Sequence, residues 1–192
     1  MAYNIKDVFY LSTSATVTKA TAGEGSAQLD LSAYIDPIAR GRTKGTGLAI
    51  YRVHYSVLNN DTQNIAAPDD GEAGIMTMGL LAGAGLGDNA TGAIDVGTDA
   101  SLSWGATNAL NVSSAYYYSP TSYPGAQANV VEYISPSKDV PYVIVRDNVC
   151  LVYGIDAAKT FVDSVTVAVR MECAQITLDQ ATLNQLLRTQ TV

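Results

Sequence analysis

The most regular pattern of apolar and polar residues lies near the C-terminal end of the chain, between Val140 and Leu178. Apolar runs at 141–145 and 149–153 are bounded by turn-forming residues and predict two short strands connected by tight turns. From Ser164 onward every second residue is apolar, which predicts a long strand with one face in a core and the other toward water. The residues on its predicted core face are Val165, Val167, Val169, Met171 and Cys173.

The end of this strand predicts a change of structure. Ile176 and Leu178 are out of phase with the preceding alternation, so we expect a bulge or the end of the strand near Ala174–Gln175. Thr177 and Gln180 fit a capping box, the pattern that begins a helix. Leucines at helical spacing follow it: Leu183, Leu186 and Leu187. Because a helix of about ten residues is marginal on its own, these leucines are expected to bury against this domain or against a neighbouring copy.

Strand-like segments recur along the rest of the chain. The strongest is Leu48–Leu58, where Ala49 and Tyr51 share a face with the apolar residues that follow at every second position. Weaker strand candidates are 5–11 with a threonine-rich continuation to 19, 28–34, 75–81, 93–96, 101–104, 112–118 and 129–134, and residues 22–26 are expected to form a loop. About eight to ten strands without intervening helices favour an all-β sandwich or barrel over the parallel α/β folds.

The length of the chain fits one such domain. Its 192 residues can bury a substantial core. The segment at about 59–129 is rich in Gly, Ala, Ser, Thr and Asn, and its strand candidates are short. We therefore expect a single β-sandwich domain over residues 1–192, with an irregular, insertion-rich region at about 59–129.

Composition indicates a weakly charged surface. Charged residues make up 15% of the chain, against about a quarter in average proteins, and there are 12 tyrosines. A surface poor in Lys and Glu but rich in tyrosine is typical of surfaces that other proteins cover. An extracellular β-protein with a neutral surface is the alternative interpretation.

The net charge of −7 argues against polyanionic partners. Nucleic-acid binding without sequence preference depends on basic patches, and the one basic cluster along the chain is Arg40–Lys44. Three charges among glycines are more typical of a solvated turn, so we expect no direct contact with nucleic acid. An acidic body is equally unsuited to anionic lipid headgroups.

The sequence contains no convincing catalytic, cofactor or metal site, and we expect the protein not to be an enzyme. His54 is the sole histidine and lies inside a predicted strand, as a surface or interface residue would. The pairs Asp69–Asp70 and Asp95 with Asp99 are typical of turns, with a single calcium ion in a loop as the alternative. The glycine-rich segment 83–87 lacks the helix start that a phosphate-binding loop requires.

The state of the two cysteines and the presence of a signal peptide can also be predicted from the sequence. Cys150 and Cys173 fall on consecutive predicted strands, and we expect two buried free thiols because sequence alone does not fix the separation that a disulfide needs. Residues 1–7 have no basic segment leading into an apolar one, so no signal peptide is expected.

Tyrosines cluster in the irregular region at Tyr116–Tyr118 and Tyr123. Tyrosine is a frequent low-entropy anchor at protein interfaces, and basic residues that would hold phosphates are missing nearby. We therefore predict that these tyrosines, together with the helix leucines, contact other subunits. Stacking on a sugar or a nucleobase is the alternative. The predicted interface residues are Tyr116, Tyr117, Tyr118, Tyr123, Leu183, Leu186 and Leu187.

Four features together resemble a known class of protein. They are the start without a leader, the pattern of eight or more strands within the chain, the irregular stretch between Asn59 and Asn129, and the strand Val165–Leu178 that runs into a leucine helix. This pattern resembles the single jelly-roll major capsid proteins of tailless icosahedral viruses of bacteria and archaea, many of which enclose an internal membrane.

The resemblance implies an all-β, single jelly-roll sandwich with long loops and a short C-terminal helix. It further implies a coat subunit located in the virion, which assembles with copies of itself into capsomers and a shell. Other capsid proteins and an internal membrane are the further partners it implies. A minor virion or tail component and a carbohydrate-binding or adhesive β-sandwich are the alternatives that the sequence leaves open.

Overall fold

A computed structural model describes residues 8–17, 24–36, 44–66, 74–83, 110–119, 129–155, 161 and 163–190. These residues form nine strands and one helix. The strands are β1 (Val8–Val17), β2 (Glu24–Asp30), β3 (Lys44–Asn59), β4 (Gly74–Ala82), β5 (Asn111–Ser119), β6 (Asn129–Ile134), β7 (Tyr142–Ile144), β8 (Asn148–Ile155) and β9 (Val165–Asp179), and the helix α1 spans Gln180–Thr189. Within the described ranges, no helix has the length and apolar character needed to cross a membrane.

The strands form two antiparallel sheets. Sheet A has the order β1-β9-β3-β7, and sheet B has the order β2-β8-β4-β5-β6. Consecutive strands repeatedly change sheet, so most hydrogen-bonded neighbours are distant in sequence. Apart from the extra outer strand β6, this is the eight-stranded, two-sheet arrangement of a jelly roll. The predicted fold class is therefore confirmed.

The main core lies between the two sheets. The predicted apolar face of β9 is buried there throughout, with exposed fractions of 0–2% from Val165 to Cys173. Sheet B contributes the facing side chains, among them Met78, Leu80 and Leu151. Alternation along a strand places every second side chain on this inner face, and so the sequence pattern located the core of β9 correctly.

The expected bulge near Ala174–Gln175 is wrong. Strand β9 continues without interruption to Asp179, and the register irregularity lies instead in β3, between Ile50 and Arg52. Ala49 and Tyr51 therefore pack in a separate cluster and do not share the face of Val53, contrary to the prediction. Ala174 keeps the regular alternation and, with the apolar residues that follow it in β9, faces away from the main core. The change of phase in the sequence marks a second buried face of the same strand.

Helix α1 covers that second face. Leu183 is fully buried and packs in a cluster with Ala49, Tyr51, Val145, Ala174, Ile176 and Leu178, while Leu186 and Leu187 are partly buried against it. Leu183 is therefore buried on its own domain, whereas Leu186 and Leu187 keep part of their surface exposed.

The beginning of α1 differs from the predicted capping box. Thr177 is still part of β9, where it pairs with Thr46. The N-cap is Asp179, whose carboxylate accepts a hydrogen bond of 2.7 Å from the backbone N–H of Thr182. This hydrogen bond lowers the pKa of Asp179. The helix thus begins two residues later than predicted, because β3 extends the pairing of β9.

Two further predictions need correction. Strand β2 begins at Glu24, inside the expected loop, and ends at Asp30 rather than continuing to 34. It ends there because the Asp30 carboxylate accepts a hydrogen bond from the backbone N–H of Ser32, which closes a turn. The strand candidates at 93–96 and 101–104 lie outside the described residues, whereas β5 and β6 match the predicted segments.

The tight turns expected around β8 do not form hairpins. Strands β7 and β9 both pair with β3 in sheet A, whereas β8 pairs with β2 and β4 in sheet B. Consecutive strands therefore cross from one sheet to the other. Turn composition in the sequence predicted that the chain reverses but could not predict that it also changes sheet.

Both cysteines are free and buried, as predicted. Cys173 faces the main core, and Cys150 lies with Leu81 and Val152 in a separate buried cluster. Burial raises the pKa of Cys150 to about 11 and that of Cys173 to about 12.

We expect neither thiol to react rapidly with Ellman's reagent at pH 8 in the native protein, because the nucleophilic thiolate is both inaccessible and scarce. Two thiols should react after unfolding in guanidinium chloride. A fast native reaction at either cysteine, measured by stopped-flow absorbance, would contradict the buried positions.

Candidate subunit interface

Strands β5 and β6 form the outer end of sheet B and carry most of the predicted tyrosines. Strand β5 pairs with β4 on one side and with β6 on the other. Tyr116 lies opposite Val131, and Tyr118 lies opposite Asn129. Because successive side chains of a strand alternate between faces, Tyr116 and Tyr118 point outward while Tyr117 points into the sandwich.

An exposed apolar surface results from this pairing. Four side chains are each 37–46% exposed and lie on the two adjacent strands: Tyr116, Tyr118, Val131 and Tyr133. We call these four residues the tyrosine surface. The rings of Tyr116 and Tyr133 contact each other with centroids 6.2 Å apart. The surface holds half of the eight large apolar side chains that are exposed within the described ranges, and such contiguity is typical of interaction sites.

The tyrosine surface borders an open sheet edge. Strand β6 is the last strand of sheet B, and no described strand pairs with its outer edge at 130–134. Natural edge strands usually carry lysine, proline or an inward-facing charge that prevents pairing with another chain. The sequence of β6 is Asn-Val-Val-Glu-Tyr-Ile and has one such charge, Glu132. Its backbone therefore offers a weakly protected row of hydrogen-bonding groups.

Hydrogen bonds between buried groups connect the strands beneath the tyrosine surface. The buried hydroxyl of Tyr55 in sheet A donates a hydrogen bond of 3.0 Å to the carbonyl oxygen of Ser113 in β5. The Ser113 hydroxyl donates in turn to the carbonyl oxygen of Ile134, at 2.9 Å, which fixes the end of β6. Burial raises the pKa of Tyr55 well above its usual range and also raises that of Tyr133. Both phenols are therefore neutral at physiological pH.

The structure divides the predicted interface residues into three groups. Tyr116 and Tyr118 are on the surface, and Tyr123 lies outside the described residues. Tyr117 is 2% exposed, its ring lies 5.9 Å from that of Phe161, and its hydroxyl donates to the carbonyl oxygen of Ala66. Burial raises the pKa of Tyr117 to about 12.

Leu183 is also interior, and Leu186 and Leu187 are half-buried beside it on α1. Tyr117 and Leu183 are therefore part of the interior of their own chain. We remove these two residues from the set that we expect to contact another copy. Sequence reasoning overlooked Val131 and Tyr133. The alternation in 129–134 could have indicated them, but only the register with β5 places them beside the tyrosines.

No catalytic arrangement is assembled among the described residues. His54 lies on the outward face of sheet A, while the open depression of about 510 Å³ is lined by residues of sheet B and the β7–β8 connection: Gln28, Asp30, Ser32, Asp147 and Asn148. The histidine is thus separated from these carboxylates. Within the described ranges, no group of three or more His, Cys, Asp and Glu side chains is placed to hold a metal ion.

Comparison with known proteins gives similarity of fold only. No family model and no curated protein sequence matches the chain. Trichodysplasia spinulosa-associated polyomavirus VP1, solved with sialylated glycooligomers, has a TM-score of 0.47 at 9% identity over 93% of this chain and 100% of that one. Merkel cell polyomavirus VP1 with disialyllactose gives 0.41 at 8%, over 88% and 96%. Desmodium yellow mottle tymovirus gives 0.31 at 8%, over 91% and 82%. At these values none of the three assigns a function or a residue.

Proposed function

We propose that the chain is a structural subunit of a viral capsid, which assembles with copies of itself through the tyrosine surface and the adjoining edge of β6. In this proposal residues 1–192 act as one non-enzymatic domain of the virion shell. The observation that carries the proposal is the contiguity of an exposed aromatic surface with a weakly protected sheet edge on a rigid two-sheet scaffold.

The jelly-roll topology narrows the classes of function. Viral capsid domains, lectins and cupins all use this fold, so the fold alone does not decide among them. Metal sites in proteins draw heavily on histidine, and this chain has one histidine, on an outward sheet face. A structural or binding role therefore fits the chain better than metal-dependent catalysis.

The energetics of the surface favour association between proteins. Tyrosine side chains lose little conformational entropy on binding because they have two rotatable angles, and strands already hold these rings in place. Glu132 is the sole charged residue of β6, so few charges lose their hydration when the edge is covered. A standard interface covers about 800 Å² on each partner, and the tyrosine surface with the β6 backbone would form its centre.

The proposed contact through the edge of β6 also limits the symmetry of the assembly. An edge that pairs with the same edge of a second copy gives a twofold dimer, whereas an edge that meets a different surface gives rings or open filaments. A ring-shaped capsomer, such as a trimer, pentamer or hexamer, requires the second kind of contact. The proposal therefore expects β6 of one subunit to meet a different face of its neighbour.

Placing a lysine on the β6 edge should abolish this contact. In Val131→Lys the ammonium group would be buried against the partner without a counter-charge, and lysine is the residue that natural sheet edges use against pairing. We expect association to weaken at least tenfold, which is about 1.4 kcal/mol, as measured by sedimentation velocity and by electron microscopy of expressed assemblies.

Val140→Lys is the matched control, because Val140 is the most exposed large apolar residue of the described chain and lies outside the tyrosine surface. It should assemble like the unmodified protein, and both variants should melt at similar temperatures. Unchanged assembly of Val131→Lys would refute the proposed interface. A monomer whose Tyr116→Ser variant loses binding to a glycan array would favour the carbohydrate-binding alternative.

A further inference from the structure

On the outward face of sheet A, basic side chains that are far apart in the sequence are neighbours. Strand β3 presents Arg52 and His54 on this face, and both are exposed. In the register of β3 and β9, His54 lies opposite Arg170, and Arg52 lies opposite Glu172. Arg170 is exposed as well, and Tyr10 of β1 lies opposite Glu172 on the other side. We call Tyr10, Arg52, His54 and Arg170 the arginine face.

The two arginines have no carboxylate partner within the described residues. Glu172 is paired with Lys138, whose Nζ lies 3.9 Å from the Glu172 Oε1. The Arg170 guanidinium lies 4.0 Å from the ring centroid of Tyr10, a cation–π contact that leaves its charge in place. The face therefore carries two arginines on diagonal positions of neighbouring strands, whose backbone positions are about 7–8 Å apart, with Glu172 opposite Arg52.

A row of hydroxyl groups extends this face along β1. Ser12, Ser14 and Thr16 alternate with the core residues and are exposed on the same side as Tyr10. Ser12 lies opposite Arg170. Residues two apart in a strand are about 6.8 Å apart, so the three hydroxyl side chains follow one another at about this spacing along β1. Serine, threonine and arginine are frequent donors to the phosphates of nucleic acids.

We propose that the arginine face and its hydroxyl row bind the phosphate backbone of nucleic acid without reading base sequence, an inference that depends on the proposed function because the nucleic acid would be the contents of the shell. The array suits a linear polyanion with repeated charges better than one acidic side chain of another protein. A lipid surface would need several apolar side chains that insert, whereas β1 exposes two on this face, Val8 and Tyr10, beside three hydroxyl side chains. This proposal revises the expectation of no nucleic-acid contact.

The expected affinity of one subunit is low. Neutralising about two phosphates gives a slope of log K against log salt of about −1.4 for a single strand. In an assembly, many copies of the arginine face engage one strand, and avidity multiplies the weak individual contacts. Binding should therefore be measured on the full-length protein in its assembled form as well as on the smallest oligomer.

The test is fluorescence anisotropy with a labelled oligothymidylate and the full-length protein over a salt series. Arg52→Gln/Arg170→Gln should weaken binding at least tenfold at low salt and flatten the salt slope. Arg188→Gln is the matched control for a single charge, because Arg188 is an exposed arginine in the last turn of α1 and is not one of the residues that form the arginine face. Its slope should stay near that of the unmodified protein, whereas Arg170→Gln alone should reduce it.

Sedimentation of the same samples separates this inference from the proposed function. If the double variant assembles normally and binds oligothymidylate as the unmodified protein does, or if Arg188→Gln causes an equal loss, the arginine face is not the binding site and the capsid proposal stands. Preferential binding to phosphatidylserine vesicles would overturn the inference in favour of a membrane. Loss of assembly in the double variant would overturn it in favour of a contact between copies.

Discussion

Replacing Leu151 by alanine is expected to lower the free energy of unfolding by about 2–5 kcal/mol. Leu151 is fully buried on β8, an inner strand of sheet B, where it lies between Leu80 of β4 and Ala27 of β2 and faces sheet A. Truncation to alanine removes the apolar contacts of this side chain. It also leaves a cavity, because the two sheets cannot move closer to each other to fill the space. Since domains are stable by about 5–15 kcal/mol, this loss is a large share of the total.

The measurement is equilibrium unfolding in urea, followed by intrinsic fluorescence. Leu58→Ala is the matched control, because Leu58 is half-buried on β3 and alternation places it on the outward side, between the buried residues Val57 and Asn59. Leu58→Ala should lower the free energy of unfolding clearly less than Leu151→Ala does. The dependence of this free energy on urea concentration should stay unchanged. Equal losses for the two leucines would show that the space between the sheets is not the main stabilising core.

Replacing Leu183 by aspartate should release helix α1 from sheet A. The helix lies directly on β3, since a Cβ atom added to Gly45 would come within 3.1 Å of the Leu183 Cδ1. The leucine is fully buried, so an aspartate there would lose about 2–5 kcal/mol of apolar packing and would bury a charge. A helix of about ten residues does not persist without packing, and we expect its circular dichroism signal at the helical minimum to disappear.

Asn184→Asp is the control for charge, because Asn184 is the exposed neighbour on the same helix. It should keep the helical signal. Retention of that signal in Leu183→Asp would contradict the packing of α1 on its own subunit. If the helix persisted and only the oligomeric state changed, the leucines would instead serve a contact between copies.

The candidate interface could be predicted in part. The run Tyr116–Tyr118 drew attention to β5, and alternation required that its middle residue face the opposite way from the other two. Which side is the core depends on the sheet that lies across from β5, and this is not a local property. Val131 and Tyr133 join the surface because β6 pairs with β5 in one register, and a shift of one residue would turn them inward.

The arginine face was even less predictable from the sequence than the tyrosine surface. Arg52 and Arg170 are 118 positions apart in sequence, and neither belongs to a basic cluster. The pairing of β3 with β9 makes them diagonal neighbours. Charge along the chain predicted an acidic protein, which is correct for the total, but only the register of strands determines where charges of one sign accumulate.

The sequence by itself determined the all-β class, the strands β3, β5, β6 and β9, the buried thiols and the presence of a C-terminal helix. These follow from alternation, burial preference and helical spacing, which act over a few neighbouring residues. The tertiary structure alone decided that β7, β8 and β9 alternate between sheets, that the bulge lies in β3, and that the last apolar residues of β9 are covered by α1. Each of those outcomes depends on hydrogen bonds and packing between segments far apart in the chain, and local pattern alone does not determine them.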